Sequence, residues 1–82
     1  WTWLDNALTI MKNLSIEPIL DPLHHTSFPR WLKGGFANPE FVDSYFRFVA
    51  ALAERYPWIR QYTVVNEPFV TTWFCGKEGV WY

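Results

Sequence analysis

The sequence predicts an α/β fold in which two parallel strands are joined by a crossover helix. Three observations carry this expectation: two stretches with helical apolar spacing, two short strand-like runs that end next to proline, and a connection between those runs long enough for a crossover. The first helix comes from Trp1, Leu4, Ala7, Leu8, Met11 and Leu14, whose three- and four-residue steps put them on one face of residues 1–13. Residues 16–23 (IEPILDPL) form an apolar run cut by Pro18 and Pro22. It is too short for a helix and suits a brief strand ending at Asp21-Pro22.

Residues 24–38 then make a long connection holding Pro29, Gly34 and Gly35, and connections of this length without structure are usually functional or disordered. Asn38-Pro39-Glu40 has the order of a helix start: an N-cap residue, proline at the first position and an acid in the first turn. Phe41, Val42, Tyr45, Phe46, Val49, Leu52, Ala53 and Tyr56 give that helix a wide apolar stripe expected to face the sheet, and Pro57 stops it. Residues 61–66 (QYTVVN) are rich in β-branched side chains and read as the second strand, with Glu67-Pro68 at its carboxyl end. The expected order is helix, strand, long loop, helix, strand, loop.

At 82 residues the chain holds no more than one domain. It is 50% hydrophobic, 21% aromatic and 18% charged, which is not the composition of a disordered tail. A net charge of -1 leaves no basic surplus for a phosphate backbone or an anionic membrane, so nucleic acid is excluded as a main partner. No apolar run approaches the roughly 18 residues of a membrane span, and the start of the chain lacks the regions of a signal peptide. With Cys75 as the single cysteine, the expected setting is soluble, reducing and cytoplasmic. Six Trp, seven Phe and four Tyr carry more apolar area than a small core hides, so a partner or the rest of a larger domain is expected to cover part of it.

Parallel strands joined by one crossover are connected right-handedly, and ligand sites in such folds collect at the carboxyl ends of the strands. His24 and His25 follow the first strand, and Asn66 and Glu67 end the second, so adjacent strands bring the two clusters together. A carboxyl group held there beneath aromatic walls such as Trp31, Trp73 or Phe74 is desolvated, which favours its protonated form and makes a general acid. Asn66 and a neutral His25 both donate and accept hydrogen bonds, and aromatic rings stack on the apolar face of a sugar. Strict strand alternation sends Asn66 and Glu67 to opposite faces. Both reach one ligand only if the strand ends or twists at that point.

Plainer uses of the same residues stay open on this reading. Glu67 is then a strand-end carboxylate paired with Arg60 or Lys77, and His24 and His25 are loop histidines without a ligand. His24, His25, Glu67 and Cys75 are metal-ligand types, but their spacing matches no zinc pattern. Cys75 reads as a reduced loop thiol. Trp31, Phe36, Trp73 and Trp81 serve equally as core or as sugar platforms.

The stretches EPILDPLHHTSFPRWLKGGFANPEFVDSYFRFVA and YTVVNEP resemble glycoside hydrolase family 1, the β-glucosidase family. Its usual pattern runs through a short apolar strand, Tyr-His-Trp-Asp-x-Pro, a Gly-Gly turn, a helix and Thr-x-Asn-Glu-Pro. The likeness extends from about Ile16 to the Gly79-Val80-Trp81-Tyr82 tail. It implies Glu67 as general acid/base, Asn66 as ligand of the sugar hydroxyl beside the scissile bond, and His25 as a sugar-binding residue. A β-glycoside is the implied substrate, with no cofactor and no metal. Thr26 stands where the family usually has Trp, Ser27 where it has Asp, and Thr63 lies one position further from Asn66. These departures imply an altered glycone preference.

The implied fold is an eight-stranded β/α barrel, which takes roughly 250 residues. Residues 1–82 would then be a partial domain, incomplete at both ends, holding the third and fourth strands and needing the remainder of the barrel. Retaining glycosidases use a second carboxylate about 5 to 5.5 Å from the acid. In the family it lies on the seventh strand, and Asp5, Asp43, Glu54 and Glu78 do not replace it. The 82 residues alone are therefore expected to be inactive. The alternative is a noncatalytic carbohydrate-binding or structural relative that keeps the barrel without the chemistry.

Overall fold

The chain forms helix α1 over Thr2–Asn13, strand β1 over Ile19–Leu20, helix α2 over Phe41–Arg55, strand β2 over Gln61–Tyr62 and helix α3 over Pro68–Thr72. These elements come from a computed structural model that describes residues 1–79. The architecture is α/β, with a two-stranded parallel sheet. The apolar spacing of α1 turns Leu8 into a core with Leu52, Tyr56 and Ile59, flanked by Leu4, Met11, Leu20, Trp58 and Tyr62. Full burial of a side chain such as Leu52 contributes about 1.5–3 kcal/mol. Helix α1 ends without glycine: Ser15 takes the left-handed conformation at φ 57°. Its N–H bonds the Lys12 carbonyl, and the next N–H, from Ile16, bonds that of Met11 at 2.8 Å. This is the Schellman closure, which satisfies two orphan carbonyls.

Both strands are shorter than their sequence runs. Ile19 pairs with Gln61 and Leu20 with Tyr62. The ladder then opens and closes once more where His24 bridges Asn66 in parallel. Proline is the reason on the first strand, because Pro18 and Pro22 have no N–H to donate. The Thr63 N–H still reaches the Leu20 carbonyl at 2.7 Å, and the Asn66 N–H reaches Leu23 at 2.9 Å. The strand ends are thus tied together across the irregular stretches.

Asn38 does not cap α2 directly. Its Oδ1 accepts the Glu40 N–H at 2.8 Å, and its carbonyl accepts the Phe41 N–H at 2.9 Å. Pro39 and Glu40 sit in the resulting turn, and the helix begins at Phe41. Pro57 ends it as expected, with Tyr56 driven out of the helical region to φ -123° and ψ 65°. The apolar stripe of α2 divides. Leu52 and Tyr56 are buried, whereas Val42 and Phe46 remain 74% and 69% exposed. A sheet of two short strands is too small to cover so wide a stripe. Phe41 instead packs edge-on against Phe28 and Phe36 from the long connection, at ring separations of 5.7 and 5.0 Å.

The segment after Glu67 is helical rather than a loop. Pro68 occupies the first turn of α3, where its missing N–H is harmless. A π-helical turn, Trp73–Lys77, continues it, closed by the Glu78 N–H on the Trp73 carbonyl at 3.0 Å. Glu78 is therefore held by its backbone at the end of this turn. Trp81 lies outside the described residues.

The molecule measures 43 × 22 × 19 Å with a radius of gyration of 14.6 Å. A compact domain of this length has a radius near 12 Å. Its accessible surface is 6231 Å², against about 5,200 Å² for a compact domain of the same mass. Uncovered apolar side chains contribute to the excess: Trp3, Ile19, Val42, Phe46, Val64 and Phe69 are all more than half exposed.

Candidate functional site

The parallel pairing brings the two clusters together at the carboxyl end of the sheet. The His24–Asn66 bridge sets the backbones side by side. From there His25 Nε2 reaches Glu67 Oε2 at 2.8 Å and Asn66 Nδ2 at 3.0 Å. Asn66 and Glu67 therefore meet one partner despite being consecutive. The strand has given way by then: the ladder is open over residues 63–65, and Glu67 adopts a left-handed conformation at φ 48° and ψ 58°. Pro68 disfavours the right-handed helical region for Glu67.

His25 is also left-handed, at φ 51°. Non-glycine residues hold this conformation at a cost of about 1–3 kcal/mol each, and they persist where surrounding contacts over-determine them. Two such residues face each other here across the sheet end. The pair joins an imidazole nitrogen to a carboxylate oxygen. With Nε2 protonated, the imidazole donates to the Glu67 carboxylate. With Nε2 bare, it accepts from the Asn66 amide or from a protonated Glu67. The side chain of Glu67 keeps 56% of its surface in solvent and that of His25 28%, so the expected aromatic enclosure of the carboxyl group is not formed.

The other expected partners lie elsewhere. Among the described ion pairs Glu67 is joined to His25, not to Arg60 or Lys77, and Lys77 Nζ sits 3.8 Å from the Trp73 ring centroid. Trp73 leans on Phe69 at 6.0 Å. Trp31 is 65% exposed and lines an apolar cleft of about 510 Å³ with Ser27, Phe28, Phe41, Tyr45 and Phe48. That cleft lies between the long connection and α2, and His25, Asn66 and Glu67 do not line it. Cys75 is half-buried with a free thiol. No group of three or more His, Cys, Asp or Glu side chains among the described residues is arranged to hold a metal ion.

Three residues that the sequence did not single out support the site. Asp21 accepts a hydrogen bond from His24 Nδ1 at 2.8 Å. Tyr45 on α2 donates its hydroxyl to the Val64 carbonyl, in the stretch where the ladder is open. Burial, and after it the charge of Asp21, pushes the Tyr45 phenol above its ordinary value, so the hydroxyl remains a donor. Thr71, one helical turn beyond Glu67, is 2% exposed, and its N–H bonds the Glu67 carbonyl at 2.9 Å. Its hydroxyl has no partner among the described residues. The i, i+4 spacing from Glu67 was the available signal, but it reads only once α3 is known to be a helix.

No family model matches the chain, and no solved structure matches it. No helix among the described residues is long and apolar enough to cross a membrane.

Proposed function

We propose that the chain is a segment of a retaining β-glycosidase of the glycoside hydrolase family 1 type, folded as the third and fourth strand units of a (β/α)8 barrel. The observation that carries this reading is the meeting of His25, Asn66 and Glu67 at the carboxyl ends of adjacent parallel strands, where barrel enzymes keep their chemistry. Glu67 is the general acid/base, protonating the leaving oxygen and later activating water. Asn66 and His25 hold sugar hydroxyls of a β-glycoside. The 82 residues alone are inactive, because the remaining barrel has to supply the nucleophile. Three of the other carboxylates are already engaged: Asp5 with Arg55, Asp43 with Arg47 and Asp21 with His24. The lone cysteine fits a reducing, cytoplasmic setting.

A noncatalytic carbohydrate-binding relative is the second reading. The solvent exposure of Glu67 favours it, as do Thr26 and Ser27 at the sugar-binding positions. Kinetics of Glu67→Gln in the full-length protein separates the two. In an acid role, the loss is about 100-fold or more on phenyl β-glucoside and much smaller on 2,4-dinitrophenyl β-glucoside, whose leaving group needs no proton. Equal losses on both remove Glu67 from that role. Sugar binding without hydrolysis by the unmutated protein selects the second reading.

A further inference from the structure

We infer that Asp21 and His24 form a positioning pair that holds the His25 ring against Glu67. The inference rests on the reading above for its kinetic consequence, but its geometry stands apart from it. Among the described hydrogen bonds His25 meets Glu67, and His24 has a distinct place. His24 Nδ1 donates to Asp21 Oδ2 at 2.8 Å, which fixes the His24 ring and its tautomer. The fixed ring lies 4.2 Å from the His25 ring, centroid to centroid, at an interplanar angle of 40°. Pro22 restricts the backbone between Asp21 and His24, and the bridge from His24 to Asn66 anchors this segment to the second strand.

His25 needs such support. Its left-handed backbone at φ 51° is not a low-energy resting place, and its Nε2 has to sit within hydrogen-bond reach of both Asn66 and Glu67. The contacts with Glu67 and Asn66 both fall on Nε2, at one edge of the ring. The His24 ring, itself bonded to a carboxylate, packs against the same imidazole and adds to its restraint. Asp21 and His24 thus act through His25 and not on a substrate.

The test uses the full-length protein with ¹⁵N-labelled histidine and the variants His24→Ala, His24→Phe and Asp21→Asn, with His25 signals assigned by their loss in His25→Gln. In His24→Ala the His25 ring nitrogens and the Asn66 side-chain amide shift. On p-nitrophenyl β-glucoside kcat falls about tenfold, while KM stays within about twofold. His24→Phe, which keeps a flat ring but loses the bond to Asp21, restores the His25 signals and kcat only in part. Asp21→Asn shifts the same signals in the direction of His24→Ala. Unmoved His25 signals in His24→Ala overturn the inference, and so does a His24→Phe variant as perturbed as His24→Ala. If His24→Ala does not fold, unmoved His25 signals in Asp21→Asn overturn it. If the unmutated protein does not hydrolyse the glucoside, the ring signals alone decide the positioning role.

Discussion

Asp5 on α1 is gripped from the far end of α2. Arg55 Nε donates to Oδ1 at 2.7 Å and the Tyr56 hydroxyl donates to the same oxygen at 2.6 Å, while the Trp1 ring lies 5.3 Å from the Arg55 guanidinium. The hydrogen bond from Arg55, and then that from Tyr56, holds the Asp5 carboxyl well below the usual carboxylate range. Burial, with the hydrogen bond to Asp5 second, pushes the Tyr56 phenol up. Because the folded state resists protonating Asp5, the stability from this clamp is fully present above the ordinary carboxylate value of about 3.9. It is lost as pH falls below that value toward the lowered folded one. Asp5→Asn should therefore flatten the acid limb of stability between about pH 4 and pH 2. Thermal midpoints of the full-length protein taken across that range check it, and a limb as steep as in the unmutated protein contradicts it. The meeting of His25, Asn66 and Glu67 was legible because their strand-end positions suffice to bring them together. Arg55 and Asp21 were not, since their partners depend on how the helix and turn are set.

Among the elements, the long connection shows how one glycine decides a packing arrangement. Gly35 has φ 50°, and a Cβ there would lie 2.5 Å from the Phe28 ring. That ring packs edge-on against Phe36 at 4.7 Å and Phe41 at 5.7 Å, so it cannot retreat without breaking the contact between the connection and α2. Gly35→Ala should cost about 1–3 kcal/mol, read as a lowered denaturant midpoint, and it should shift the Phe28 side-chain resonances. A midpoint and resonances like those of the unmutated protein would show that the ring contact contributes nothing. Helix spans were readable because α1 and the body of α2 follow from apolar spacing and from Pro57. Strand spans were not. Proline breaks the β1 ladder, and β-branched composition in residues 63–65 does not reveal that the matching ladder positions are open. Helix α3 was missed because a five-residue helix is too short to show a period.

For the whole molecule, the decisive quantity is uncovered apolar surface. Both strands are edges of a two-stranded sheet, and unpaired N–H and C=O groups on edge strands template association. Ile19 and Val64 are each 63% exposed, with Val42 and Phe46 more so. Expressed alone, the 82 residues should therefore self-associate or precipitate, seen by light scattering coupled to size exclusion. A monomeric peak with a sharp reversible melt would contradict the partial-barrel reading.

The sequence by itself determined the helical faces, the order of the two strands, their crossover and the position of His25, Asn66 and Glu67 at strand ends. Those features depend on local spacing and on the few ways a short crossover can run. Tertiary structure decided what spacing does not encode: the length of each ladder, the division of the α2 stripe between core and solvent, and the left-handed turns at His25 and Glu67. It also placed Asp21 behind His24. The physical reason is that a hydrogen bond across the sheet or a ring contact between elements depends on distances set by groups remote in sequence, and these appear only when the chain is closed on itself.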